Sequence, residues 1–108
     1  MLPYIVSDPP KVSVQKLYHS HRATITMELV CRVQANPTTS PTWVFTSDQD
    51  RVVRNITRVV EKVEGKDMVS VVIITSPKDL HLGKYLCSAS NSLGEDSKEI
   101  VIKGQAGC

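Results

Sequence analysis

Apolar and polar residues alternate along much of the chain, and this two-residue period predicts β-strands. The clearest run covers 24–33, in which alternate positions are apolar: Ile25, Met27, Leu29, Cys31 and Val33. The positions between them are mostly polar, and Val30 is the apolar exception. This pattern is typical of an antiparallel strand with one buried face and one solvated face.

Several further runs have β-strand character and are separated by residues that favour turns. Residues 51–63 alternate poorly, and we predict a short edge strand and one longer strand there. The other predicted strands lie in 11–16, 42–45 and 68–75, around Tyr85–Cys87, and in a closing segment with Ile100 and Ile102 facing inward. Turns are predicted at 36–41, 64–67 and 92–94.

The first strand contains a double proline that changes its predicted course. Pro9 and Pro10 have no N–H to donate to a ladder, so we expect them to end a short strand at Ile5-Val6. The strand is then expected to resume at 11–16 on the other sheet. Residues 19–22 are polar and are predicted to form a loop.

Length and composition predict a single domain. The chain has 108 residues, a net charge of +2, one Trp and one Phe, so its core must be mostly Val, Ile and Leu. We divide it into an N-terminal strand with its proline break at 1–10, a domain at 11–103 and a tail or linker at 104–108. The small net charge argues neither for nor against binding to nucleic acid or an anionic membrane.

The three cysteines suit an oxidising compartment, with one pair and one left over. No Cys-x-x-Cys occurs, so zinc and thioredoxin-type chemistry have no support. The start of the chain lacks the apolar segment of a signal peptide, and no run of about 18 apolar residues could span a membrane. We therefore expect an extracellular chain to be a fragment of a longer protein.

A set of motifs in this sequence resembles an immunoglobulin domain of the intermediate (I) set. The motifs are Cys31, Asn36-Pro37, Trp43, Gly83-x-Tyr85-x-Cys87 and Ala89-x-Asn91-x-x-Gly94. The resemblance implies an all-β, antiparallel sandwich of seven to nine strands with Greek-key connections. More narrowly, the segments 81–85 and 35–37 are similar to membrane-proximal domains of lachesin-type and IgLON-type neuronal adhesion proteins.

The resemblance also implies how the core is built. Cys31 and Cys87 are expected to form a disulfide across the two sheets, with Trp43 packed beside it. The hydroxyl of Tyr85 is expected to cap a backbone carbonyl in the crossover 77–82. The alternative for the cysteines is two buried free thiols, as in cytosolic muscle immunoglobulin domains.

One position departs from the family pattern. The family usually has Asp where this chain has His81, and that Asp pairs with an Arg on the opposite side of the sandwich. Because His81 cannot make this ion pair, we expect the corner to be held by Tyr85 and by apolar packing.

Two features of the sequence are candidate sites of modification or contact. Asn55-Ile56-Thr57 is an acceptor for N-glycosylation, although such a motif can stay unused. The register set by the cysteines turns Met68, Val72 and Ile74 inward. Their neighbours would face solvent beside Val30 and form a candidate interface: Val69, Val71 and Ile73. Alternatively, long side chains or a glycan on Asn55 shield this patch.

The remaining polar clusters predict no catalytic or metal chemistry. A basic stretch with interleaved acids could contact a glycosaminoglycan, but a solvated edge explains it as well: Arg51, Arg54, Arg58, Lys62 and Lys66. His19-x-His21 offers two ligands where a metal site needs three or four. We expect no enzyme activity, no cofactor and no metal.

The sequence therefore predicts an extracellular binding module of a cell-surface adhesion molecule or receptor. Its expected partner is another extracellular protein or a second copy of itself. The alternatives are a structural spacer in a multidomain extracellular protein and a cytosolic muscle-type domain. Cys108 could pair with a second chain, belong to a linker or be an expression remnant.

Overall fold

The computed structural model describes residues 8–104, and β-strands take up most of this range. The described part contains eight strands and one short 3-10 turn. The strands are β1 (Asp8–His21), β2 (Thr24–Asn36), β3 (Thr42–Ser47), β4 (Val53–Ile56), β5 (Val60–Glu64), β6 (Asp67–Thr75), β7 (Gly83–Asn91) and β8 (Gly94–Ile102), and the turn is Asp79–His81. The predicted all-β class and strand number are confirmed.

The strands form two antiparallel sheets of four strands each. The first sheet has the order β1-β2-β6-β5, and the second sheet has the order β4-β3-β7-β8. The chain crosses between the sheets after β2, after β4 and after β6, so strands that are neighbours in sequence often lie in different sheets. This is the Greek-key sandwich that the sequence predicts.

The centre of the sandwich is a disulfide flanked by an indole. Cys31 and Cys87 are 0% exposed, and their Cα atoms are 6.5 Å apart across the bond. Trp43 lies directly beside Cys87 in the register of β3 and β7 and is 2% exposed. The disulfide closes a sequence separation of 56 residues, which contributes about 4 kcal/mol in the chain-entropy model. The predicted pairing is confirmed.

A buried serine satisfies the polar atom of this tryptophan. Ser70 lies opposite Cys31 on β6 and is 0% exposed. Its Oγ accepts a hydrogen bond of 3.0 Å from Nε1–H of Trp43. An indole N–H that is taken from water needs such a partner, because leaving it unpaired in the interior is costly. Ser70 therefore occupies a core position that the sequence pattern alone does not single out.

Replacing this serine should destabilise the fold although it removes only one atom. In Ser70→Ala the indole N–H loses its acceptor, so the free energy of unfolding should fall by about 1–3 kcal/mol. Urea unfolding followed by tryptophan fluorescence measures the change. Ser90→Ala, on the exposed end of β7, is the matched control and should stay within about 0.5 kcal/mol of the parent. Equal losses in the two variants would contradict this role of Ser70.

The first strand differs from its prediction. β1 is continuous and pairs with β2 along its length, with a register shift between Asp8 and Lys11. The two prolines fall within this irregularity, where their missing N–H groups disrupt few ladder bonds. Residues 11–16 therefore stay in the first sheet, and the expected move to the other sheet is wrong. Residues 1–7, with the predicted strand at Ile5-Val6, lie outside the described residues.

The predicted loop at 19–22 is also wrong, because β1 continues to His21. Arg22 and Ala23 form the hairpin turn, and both have positive φ, of 50° and 65°. Two successive positive φ angles are typical of the tight turns whose twist matches that of paired strands. The side chains of 19–21 are polar because this part of the edge strand β1 is exposed to solvent on both faces. One of them contacts the neighbouring strand: Nε2 of His19 lies 2.5 Å from Oε2 of Glu28 on β2.

A side chain of the second sheet holds the first strand in place. The backbone N–H of Val12 on β1 donates to Oδ2 of Asp96 on β8, at 2.8 Å. This hydrogen bond is the main cause that holds the pKa of Asp96 below its ordinary value. The hydrogen bond connects the two sheets at the side of the sandwich where β1 and β8 are the edge strands. It also gives the backbone N–H of Val12 an acceptor.

The Asp96 contact should make part of the stability sensitive to acid. Because the pKa of Asp96 is lower in the folded state, its stabilisation is present above the ordinary carboxyl pKa of about 3.9. That stabilisation is lost as pH falls through the folded pKa. In Asp96→Asn this component is absent, so the free energy of unfolding should decline less steeply below about pH 4. Urea titrations at a series of pH values test this, and identical slopes for the two proteins would contradict it.

Candidate functional site

The outer face of the first sheet carries a row of apolar side chains at its middle. Val30 on β2, Val71 on β6 and Val60 on β5 are direct neighbours in register. Val60 is 53% exposed, whereas Val30 and Val71 are half-buried. Ile73 follows two residues after Val71 and is 49% exposed. We name Val30, Val60, Val71 and Ile73 the outer apolar patch.

Val69 does not reach solvent, although the sequence predicted that it would. Its side chain points to the outer face by alternation, yet the residue is only 2% exposed. Its neighbours in register are Arg32 on β2 and Lys62 on β5. The apolar stems of these long side chains can cover a valine while their charged ends stay in water. The expectation of an exposed Val69 is therefore wrong, and Val60 adds apolar surface that the sequence did not identify.

Ion pairs fix the arginine that lies beside Val69. Arg32 pairs with Glu64 and, at 3.1 Å, with Asp67. The hydrogen bond from Arg32 is the main cause that lowers the pKa of Glu64, and the pair raises the pKa of Arg32 in turn. All three groups are at the surface, so this network orients Arg32 more than it stabilises the fold. On the other side of the row, Glu28 lies in register with Ile73.

The glycosylation acceptor lies on the other sheet. Asn55 is exposed on β4, the edge strand of the second sheet, and it is the register neighbour of Val44. Since Trp43 and Phe45 point into the core, Val44 and Asn55 point outward. Val44 in turn neighbours Leu86 on β7. A glycan at Asn55 would therefore cover the outer face of the second sheet and leave the outer apolar patch bare.

The crossover between β6 and β7 is held by a buried tyrosine. The hydroxyl of Tyr85 donates to the backbone carbonyl of His81 at 2.6 Å, which confirms the predicted cap. Burial raises the pKa of Tyr85 to about 12. The ring stacks on Phe45 with a centroid distance of 4.4 Å. The side chain of His81 makes a local contact instead of an ion pair, since its Nδ1 accepts the backbone N–H of Lys78 at 2.8 Å.

Gly83 lies where β7 begins, and the structure explains why glycine is needed there. Its φ is +148°, in the region that favours glycine. A Cβ on this residue would lie 2.1 Å from the backbone oxygen of Thr46. Glycine therefore allows the chain to pass close to β3 immediately before Tyr85 enters the core.

The basic stretch of the sequence does not form one positive surface. Arg54 pairs with Asp50 at 3.0 Å, and Lys62 pairs with Glu64 at 3.3 Å. Arg51 lies in the loop before β4, Arg58 lies between β4 and β5, and Lys66 lies in the β5–β6 turn. A contact with glycosaminoglycan stays a prediction, weakened by these interleaved acids.

Residues 8–104 contain neither a metal-binding cluster nor a helix that could span a membrane. Within residues 8–104 no group of three or more His, Cys, Asp or Glu side chains is arranged to hold a metal ion, and His19 contacts Glu28 instead. No helix in this range is both long and apolar enough to cross a membrane.

The geometry defines a class of protein. Two antiparallel sheets joined by a central disulfide, a buried tryptophan beside it and a tyrosine that caps the crossover are together the hallmarks of an immunoglobulin domain. Residues 10–103 match the family model of the immunoglobulin I-set domain. The chain belongs to this family.

Solved structures of immunoglobulin domains resemble this chain over most of its length. A crystal structure of Dpr2 Ig1-Ig2 in complex with DIP-Theta Ig1-Ig3 matches with a TM-score of 0.58 and 23% identity, over 88% of this chain and 32% of that one. Titin M4 in its trigonal form matches with a TM-score of 0.56 and 15% identity, over 87% and 93%. At these identities the likeness shows the fold alone.

A solved structure of Dscam, which concerns the structural basis for its isoform specificity, matches this chain with 30% identity and a TM-score of 0.58, over 90% of this chain. Our chain spans 24% of that chain. It therefore spans about a quarter of that chain and about a third of the chain matched in the complex of Dpr2 with DIP-Theta. No curated protein matches the sequence.

Proposed function

We propose that this domain is an extracellular binding module of a cell-surface adhesion molecule or receptor, and that it binds a second copy of itself through the outer apolar patch. The observation that carries the proposal is the row of Val30, Val71 and Val60, which lies with Ile73 between charged side chains on the outer face of the first sheet. A contiguous apolar patch with a polar rim is typical of a protein contact surface.

The size of the patch favours a weak contact. Val60 and Ile73 are each about half exposed, and burying that remaining surface would contribute about 1–2 kcal/mol for each side chain. Val30 and Val71 have less surface left to bury. Association also costs several kcal/mol in lost freedom of motion. The balance fits a reversible contact that is strengthened when many copies meet on two membranes.

The charges beside the row favour a second copy over an unrelated partner. Glu28 and Arg32 lie two residues before and after Val30, on opposite sides of the row. A two-fold axis along the row would place Arg32 of one copy opposite Glu28 of the other. The three valines of the row would then meet their own equivalents. A surface that complements itself in this way is what a symmetric pair requires.

Two observations support an extracellular location. A disulfide between Cys31 and Cys87 is stable in an oxidising compartment and is rare in the cytosol. The acceptor Asn55 is exposed, as glycosylation of a secreted protein requires. The likeness to the Dscam structure, which concerns isoform specificity, supports recognition as the activity.

A charge placed in the row should abolish self-association. Val71→Lys would bury an unpaired ammonium group in the interface, so we expect this variant to sediment as a monomer at every concentration. The parent should show a sedimentation coefficient that rises with concentration. Val53→Lys, on the outer face of the second sheet and 62% exposed in the parent, is the matched control and should behave as the parent does.

Two outcomes would contradict this proposal. A parent that remains a monomer throughout the series would rule out self-association and favour another partner or a spacer role. Equal effects of Val71→Lys and Val53→Lys would place the contact elsewhere. Val53 is exposed and Val71 is half-buried on an outer sheet face, where the stem of a lysine can lie along the sheet with its charge in water, so the urea midpoints of both variants should stay close to that of the parent.

The acceptor site should carry a glycan when the domain is expressed through a secretory pathway. We expect the intact mass of the parent to fall after treatment with an N-glycosidase, and the mass of Asn55→Gln to stay unchanged. Thr57→Ser keeps the motif and is the matched control, so it should behave as the parent does. Deglycosylation should leave self-association intact, because the glycan and the outer apolar patch lie on different sheets. A parent that loses no mass would show that the site is unused.

A further inference from the structure

A cleft opens between the two sheets at the side where the chain passes from β4 to β5. Its volume is about 510 Å³, which lies within the range of about 300–1,000 Å³ typical of small-molecule sites. Its apolar lining comes from both sheets and from the crossover. Leu80 is 54% exposed and Ile56 is half-buried, whereas the deeper Phe45, Val72, Ile74 and Tyr85 belong to the buried core. The cleft differs from the outer apolar patch, although Ile73 borders both.

Most polar groups around the cleft already have partners. Asp50 accepts the backbone N–H of Val52 at 3.0 Å and pairs with Arg54 at 3.0 Å, and these contacts lower its pKa. The Oγ atom of Ser47 accepts the backbone N–H of Gln49 at 3.2 Å. The imidazole of His81 is occupied by the backbone of Lys78.

Arg58 is the charged side chain of the cleft lining that makes no ion pair among the described residues. It lies between β4 and β5, lines the cleft and is exposed. Within the described part of the chain no carboxylate comes within ion-pair distance of it. The cleft therefore presents one unpaired guanidinium group at the rim of an apolar wall.

We propose that this cleft binds a small amphiphile with a carboxylate head and an apolar body. The guanidinium group of Arg58 can form two parallel hydrogen bonds to a carboxylate. The apolar body would cover Leu80, which is 54% exposed in the free protein, and would pack against Phe45 and Ile56. A neutral apolar ligand would make no ion pair with Arg58. A small polar anion would leave the apolar side chains of Leu80 and Ile56 in contact with water.

Decanoate, kept below its micelle concentration, is a suitable probe. Titrated into the ¹⁵N-labelled protein, it should shift backbone amides of 45–58 and 72–85 in a saturable way. Arg58→Gln should raise the Kd at least about tenfold, equal to about 1.4 kcal/mol, and decanol should bind the parent at least about tenfold more weakly than decanoate does. Leu80→Asp should weaken binding further, because it adds a negative charge and removes part of the wall.

Arg22→Gln, at the tip of the β1–β2 hairpin and away from the cleft, is the matched control and should bind decanoate as the parent does. Arg22, Arg58 and Leu80 are exposed, so the fold of each variant should be retained. The absence of saturable shifts in the cleft, equal affinities of the parent and Arg58→Gln, or larger shifts at Val30, Val60 and Val71 than in the cleft would each overturn the proposal. None of these variants alters a residue of that patch, so its self-association can be measured separately.

Discussion

The disulfide at the centre of the sandwich determines which way every other side chain faces. Cys31 and Cys87 must point toward each other, and a strand alternates its two faces with a period of two. A slip of one residue would turn the whole core outward, so this register is strongly specified. The same constraint turns Val30 and Asn55 away from the core, on different sheets. The two candidate surfaces are therefore consequences of how the core is anchored.

The sequence predicted best those strands that have one solvent-exposed face and one buried face. In β2 alternation was read correctly, because burial on one side leaves a clear period in the residues. β6 is almost continuously apolar, and the inward direction of Met68, Val72 and Ile74 came from the register set by the cysteines. β1 could not be read in this way, since an edge strand that is wet on both faces has no period beyond residue 16. Its turn at Arg22-Ala23 also lacks the Gly or Asn that usually marks a tight hairpin.

The candidate surfaces were less predictable than the fold, because they depend on residues that are far apart in sequence. Alternation correctly predicted that the side chain of Val69 points to the outer face of the first sheet. Its solvent exposure, however, depends on its register neighbours Arg32 and Lys62, which come from two other strands. Val60 joins the outer apolar patch only through pairing with β6. No pattern in the sequence predicted the cleft beside Arg58, because its lining comes from both sheets and from the crossover. What the cleft contains could be seen only once both sheets were in place.

The placement of the glycan acceptor and the bare patch on opposite faces limits the size of any assembly. Were two copies to meet through their first sheets, both bare faces would be used up, and the pair would present only its sugar-bearing sides to the surroundings. Such a pair is closed and cannot grow into a fibre or a lattice by repeating the same contact. A larger assembly would then need a second contact surface.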